Sequence, residues 1–307
     1  MTKLEWTKKR DFGPSPRSQH TLTYDPVRKR CVLFGGAGDT VELADTWVWD
    51  GRFWTQVSDM GPSPRRSAAS AWDPSTQRVL LFGGATTAGG TLAPLGDTWA
   101  WDGQLWTQVD DSGPAARFAA ALSGDTTRQR NVLFGGATTI PDVAALGDTW
   151  EWDGQQWTLI DQSGPTSRSG HSMTFDAARS RTILFGGIAL DGTSDTTTWL
   201  WDGTSWARGA HSGPSGRLGT ALAADQARAV LFSGTAQLSP SPQAPLAADT
   251  WEWDGQQWAL RRDFGPEGRH THALAYDSAR DRYVLFGGVV TSGALMADTW
   301  ELNPRTA

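Results

Sequence analysis

Self-similarity at a period of about 50 residues constrains the fold of this 307-residue chain more than any other feature. Phe-Gly-Gly recurs at Phe34, Phe82, Phe134, Phe185 and Phe286, with a degenerate copy at Phe232-Ser233-Gly234. Asp-Thr-Trp follows at Asp45, Asp97, Asp148, Asp249 and Asp298, and the fourth repeat carries Thr197-Thr198-Trp199 instead. Trp-Asp-Gly comes next, at Trp49, Trp101, Trp152, Trp201 and Trp253, with a further Trp at Trp54, Trp106, Trp157, Trp206 and Trp258. Each unit closes on Gly-Pro-x-x-Arg, at Arg17, Arg65, Arg117, Arg168, Arg217 and Arg269. A unit this short cannot bury its own apolar face, so neighbouring units must stack.

Each unit reads as a four-stranded antiparallel meander. In the first, the expected strands are a (20–24), b (30–34), c (46–49) and d (53–57). Asp-Gly between c and d is the signal of a tight two-residue hairpin. Glu5-Trp6-Thr7 matches Phe53-Trp54-Thr55, so the N-terminal segment is a strand d with no a, b or c before it. The other end runs out at Thr299-Trp300-Glu301-Leu302, a strand c with no d after it. Joining the two predicts one all-β domain over residues 1–307, a six-bladed β-propeller of four-stranded antiparallel blades. The first strands begin near residues 17, 65, 117, 168, 217 and 269, and closure hides edges that would otherwise invite aggregation.

The Gly pair ending a hydrophobic strand, the Asp-x-Trp strand, the later Trp and the Pro-x-x-Arg together resemble the kelch repeat. The resemblance covers essentially the whole chain and implies a propeller like the central domain of galactose oxidase. It also implies that the repeated arginines belong to the repeat and pair with backbone or with the strand-c Asp of a neighbouring blade. Kelch-type sugar-acid epimerases show that such a scaffold can host catalysis, but no motif of theirs maps onto this sequence. Kelch-domain copper-radical oxidases use a Tyr–Cys cross-link and Tyr/His ligands. Here Tyr24, Tyr276 and Tyr283 all fall in repeat strands, which argues against that chemistry.

Eighteen tryptophans suggest a sugar-binding module until they are placed. Six occupy the strand-c Thr-Trp position, five Trp-Asp-Gly and six strand d, and Trp72 falls where other repeats have Tyr24, Phe175 and Tyr276. All are repeat positions, expected to pack blade against blade. In such a meander the a–b and c–d turns share one face, and the b–c and d–a connections share the other. The second has loops of varied length, including Thr235–Ala248 with its three prolines, and is the expected functional face.

Departures from the repeat mark a sector there. Large apolar residues precede Gly-Pro only at Phe12, Met60 and Phe264, and the two glutamates outside repeat positions are Glu42 and Glu267. His20, His270 and His272 lie in blades 1 and 6, as does Met296. The expected ligand-binding set is therefore Phe12, Arg17, His20, Met60, Arg65, Phe264, Arg269, His270 and Met296. The candidate acid–base groups are Glu42, Glu267, His20, His270 and His272. A metal held by His270, His272 and Glu267 or Glu42 is the less favoured possibility, and no cofactor is expected. The long loop of blade 5 is a competing site or a lid.

The remaining composition narrows the class. Twenty-seven Lys and Arg against 33 Asp and Glu give a net charge of −6, against a nucleic-acid footprint. No apolar run has the length of a membrane span and no signal peptide is evident, so a cytoplasmic monomer is expected. The one cysteine, Cys31, precludes an internal disulfide and is expected to be buried and inert. The leading expectation is a propeller that binds a small molecule or protein partner. The alternative is a small-molecule isomerase, lyase or cyclase, and a sugar-binding module is less favoured.

Overall fold

The computed structural model describes residues 4–9, 12–88, 90–139, 144–210, 212–237, 246–261 and 265–303. Its six four-stranded antiparallel sheets are the expected blades. Blade 1 uses Thr21–Asp25, Arg30–Ala37, Glu42–Trp49 and Trp54–Ser58 as strands a to d, and blades 2 to 5 repeat the order. Blade 6 takes Ala273–Asp277, Arg282–Phe286 and Thr299–Asn303 as a to c, and Glu5–Lys8 as d. Trp6 pairs with Leu302 and Lys8 with Trp300, which closes the ring as the sequence implies.

Strands b and c of blade 1 run further than expected. The Gly35-Gly36 pair forms a bulge, after which Gly36 pairs with Leu43 and Ala37 with Glu42. Both glycines are left-handed, at φ 63° and 103°. A Cβ on Gly36 would stand 2.7 Å from the Ser18 carbonyl, so the bulge requires glycine twice over. In the degenerate copy, Ser233 holds the same left-handed backbone at φ 57°. Its hydroxyl bridges to the next blade, donating to the Arg269 carbonyl at 2.6 Å and accepting from the Arg269 N–H at 2.7 Å.

The tryptophans pack between blades. Each strand-d indole donates to the strand-c threonine of the preceding blade, from Trp54 to Thr299 at 2.8 Å and from Trp106 to Thr46 at 2.9 Å. The same bond recurs at Trp157–Thr98, Trp206–Thr149, Trp258–Thr198 and Trp6–Thr250. The glycine of each Gly-Pro lies on the next blade's indole. A Cβ at Gly113 would come within 2.3 Å of Trp157 Cδ1. Gly-Pro is thus a contact surface as well as a turn.

Two rings of backbone hydrogen bonds cross all six blade boundaries. The second glycine of each pair donates to the carbonyl of the next blade's arginine, from Gly36 to Arg65 at 2.9 Å round to Gly288 and Arg17 at 2.9 Å. Nearer the axis, Ser67 donates to Gln19, Ala119 to Ser67, Gly170 to Ala119, Gly219 to Gly170, Thr271 to Gly219 and Gln19 to Thr271, all at 2.7–2.9 Å. Every member of this inner ring has φ between 53° and 68°. The left-handed turn swings each amide sideways onto its neighbour, and the ring encircles the axis at the b–c/d–a end.

Candidate functional site

The six repeat arginines sit at the b–c/d–a face but are buried. Arg17 donates to both Asp45 carboxylate oxygens at 2.6 and 2.8 Å, to the Gly35 carbonyl, and to Ser15 through its carbonyl and hydroxyl. All five guanidinium N–H groups are thereby used. Arg65 repeats the pattern with Asp97, Gly83 and Ser63. Arg269 holds Asp298 at 2.6 and 3.1 Å and the carbonyls of Gly287 and Glu267. The donors of Arg17, Arg65 and Arg269 thus face inward onto protein partners, five engaged in each of the first two and four in Arg269, rather than towards the expected ligand. In the fourth blade, which lacks the motif Asp, Asp195 takes the role from two positions earlier and meets Arg168 at 2.7 Å. Burial alone would raise the Asp45 carboxyl, but the hydrogen bonds and charge of Arg17 outweigh it and hold it below the usual range.

The repeat histidines are buried as well. His20, His171 and His272 set their rings edge-on against Phe286, Phe134 and Phe232 of the preceding blade, at centroid separations of 5.4–5.5 Å. Burial, and then the neighbouring Arg17, holds His20 down at about 3. Burial and Arg168 do the same to His171, also at about 3. Burial chiefly, with Arg269, puts His272 well below the ordinary imidazole range. His20 and His272 are thus placed between blades, buried against phenylalanines, and not on the open surface of the expected sector. Cys31 is buried, and burial pushes its thiol up.

The remaining candidates divide between rim and axis. Phe12 and Met60 are exposed at 87% and 78%, and their neighbours Gly13 and Gly61 lie on the outer-strand residues Trp54 and Trp106. They belong to the outer rim. Phe264 lies outside the described residues. Glu267 is exposed, and Met296 is half-buried where its backbone pairs with Arg17 and Gly288. Glu42 turns to blade 2, accepting from the Thr87 hydroxyl at 2.6 Å and facing Arg66 Nε at 3.7 Å. The Thr87 hydrogen bond chiefly holds its carboxyl below the usual range. The expected single pocket of blades 6 and 1 is thus not assembled from these side chains. Among the described residues, no three His, Cys, Asp or Glu side chains come together as a metal site. Residues 238–245 of the long blade 5 loop also lie outside the described residues, and its end at Leu246 meets Thr291 of blade 6.

A repeat position of which the sequence reading singled out only His270 lies beside the inner ring. The residue after each arginine is Ser18, Arg66, Phe118, Ser169, Leu218 or His270, and each is bridged or paired to the strand beyond the Gly pair. The Cβ positions of Leu218 and His270 stand over Gly170 and Gly219 of that ring. Six blades thus carry one cation, one imidazole, two large apolar groups and two hydroxyls at this position, Ser18 being buried and the others partly exposed. Arg66 is the contrast to the repeat arginines: it is one-third exposed, and Glu42 lies beyond hydrogen-bond reach of its Nε. His270 is half-buried, and burial lowers its pKa.

At the opposite end, a cavity of about 330 Å³ runs along the axis and opens among the a–b turns. It is lined by the first strands of all six blades.

Fold and axial lock together define the chain as a six-bladed β-propeller. No protein-family model matches it, and no curated protein matches its sequence. Among solved structures it is similar to that of YjhT, with a TM-score of 0.74 and 15% identity over 94% of this chain and 95% of that one. An identity this low shows the fold alone. With 589 solved chains matching in structure, the architecture selects no activity by itself.

Proposed function

We propose that this is a kelch-type binding propeller whose b–c/d–a face takes up a small molecule or peptide segment carrying a carboxylate. The observation that carries the reading is the state of Arg66, an arginine at that mouth whose guanidinium is not locked by a bidentate aspartate. A guanidinium fork suits a carboxylate, and the same repeat position carries apolar Phe118 in the adjoining blade 3 and Leu218 in blade 5 across the ring. Binding is favoured over acid–base catalysis because the Glu42 carboxylate is already engaged by Thr87 and the buried histidines are withdrawn from the surface. The single buried thiol accords with a reducing, cytoplasmic setting. No described helix is long and apolar enough to cross a membrane.

The test is calorimetric titration with benzoate as a minimal aromatic carboxylate. Arg66→Ala should weaken binding at least tenfold, and Arg66→Lys nearly as much, while Ser163→Ala should leave it unchanged. Benzoate affinity that is indifferent to Arg66 would overturn the proposal.

A further inference from the structure

We propose that the axial cavity at the a–b turn end is a second binding site, for a small uncharged molecule with a flat apolar ring and one hydroxyl, a phenol in chemical class. The site is distinct from the carboxylate site, because the cavity's lining includes neither Arg66 nor any member of the inner ring.

The cavity's depth selects for apolarity. Next to the inner ring it is walled by Leu22, Leu122, Met173, Leu222 and Leu274. Its outer collar is aromatic, formed by the half-buried Tyr24, Trp72, Phe175 and Tyr276. Rings in such a collar favour stacking or edge-on contact with another ring. Charge is absent from the collar. Burial chiefly raises Tyr24 to about 12, so it stays neutral, and Tyr276 gives its hydroxyl to Asp281 at 2.7 Å. The one acidic lining residue, Asp225, has a carboxylate oxygen tied to the backbone N–H groups of Ala227 and Arg228.

One polar group asks for a partner. Ser123 lines the cavity at 4% exposure, and its hydroxyl, turned away from the open space, has no hydrogen-bond partner among the described residues, so that a rotation of this one side chain would present it to a ligand. Thr23, at the equivalent position of blade 1, is by contrast satisfied by Ser70 of blade 2 at 2.6 Å. An unpaired buried hydroxyl is costly, and a ligand hydroxyl reaching it removes that cost. The volume is about twice the roughly 150 Å³ that admits benzene in an engineered cavity, so one substituted ring fits. The collar is also incomplete: blades 3 and 5 carry Gly124 and Ala224 where the other four have rings.

That gap supplies the test. Ala224→Trp places in blade 5 the kind of side chain four other blades already hold, filling the cavity without a new type of contact. Phenol is titrated into the intact protein carrying ¹³C-methyl methionine, and Met173 is the methionine that lines the cavity, whereas Met60 and Met296 lie at the other end. Saturable binding should shift the Met173 methyl and leave those of Met60 and Met296 in place. Affinity should fall at least tenfold in Ala224→Trp and three- to tenfold in Ser123→Ala, and should not change in Arg66→Ala. No saturable binding by the wild-type protein, or shifts at Met60 or Met296 in place of Met173, overturns the proposal. So does undiminished affinity in a folded Ala224→Trp protein; should that variant not fold, the Met173 response and Ser123→Ala still decide.

Discussion

The indole N–H of Trp6 donates to the hydroxyl of Thr250 at 3.2 Å, across 244 residues of chain. Trp6 is buried at 6% exposure in a cluster with Phe232, Tyr283, Leu285 and Leu302, so one side chain joins the N-terminal strand to blades 5 and 6. Trp6→Ala should cost about 3–5 kcal/mol, the range for a large aromatic removed from a core. Trp6→Phe should recover most of this, since it loses one hydrogen bond and part of the ring. Denaturant unfolding of the three proteins checks the order, and deletion of residues 1–8 should destabilise at least as much as Trp6→Ala.

Removing one partner of a buried, bidentate pair leaves a stranded charge. Arg117→Ala leaves Asp148 without the two bonds it receives at 2.6 and 2.9 Å and should cost about 3–5 kcal/mol. Arg17→Ala and Arg217→Ala should behave alike, because their pairs with Asp45 and Asp249 have the same geometry. A benign Arg17→Ala, beside a damaging Arg117→Ala, would show that the first blade's arginine serves something other than the lock.

Acid should destabilise the fold in two stages. His20 and His171 are neutral in the folded protein down to about 3, whereas an unfolded imidazole takes its proton near 6.5. The unfolded state therefore binds more protons as pH falls below 6.5, and each histidine removes about 1.4 kcal/mol of stability per pH unit until its folded pKa is reached. His272 acts in the same direction. The depressed carboxyls of Asp45, Asp97, Asp148, Asp249 and Asp298 contribute stability above the unfolded carboxyl pKa and lose it as pH falls further, through their folded values. Stability measured from pH 7 to 4 should decline throughout, and His171→Phe should flatten the upper part of the curve.

Cys31 reports on opening of the ring. It is fully buried between Leu33, Trp49 and Trp54, and its thiol is held in the protonated form. Folded protein should react with a thiol reagent at least a hundredfold more slowly than protein in denaturant. Disrupting closure through Trp6→Ala should raise that rate.

The repeat made the fold legible because packing roles recur: six copies of one tryptophan or one arginine announce a shared neighbour. The same logic foretold that the arginines would pair with backbone and a strand-c aspartate, but it pointed to a neighbouring blade's, whereas Arg117 takes Asp148 of its own blade. What it concealed was carried by backbone or by difference. The inner ring depends on left-handed φ at Gln19, Ser67, Ala119 and Thr271, four residue types with no common side-chain signature. Apart from His270, the residues after the arginines escaped notice because Arg66 and Leu218 share nothing but position. Conversely, Phe12 and Met60 were conspicuous as large residues, yet a strand-d indole beneath the adjoining glycine sets them at the rim. The substitute aspartate of blade 4 stands two places out of register, so Asp195 could be recognised only by what it touches.

The inner ring has an electrostatic corollary. Its six amide bonds run head to tail in one sense around the axis, so their in-plane dipoles cancel over the circuit. A helix end gathers peptide dipoles into a partial charge, but a closed circle of them offers an approaching ion no net pull towards the centre. Whatever preference for charge the b–c/d–a mouth has falls to the side chains standing around it, with Arg66 and Glu42 of opposite sign and His270 neutral at physiological pH.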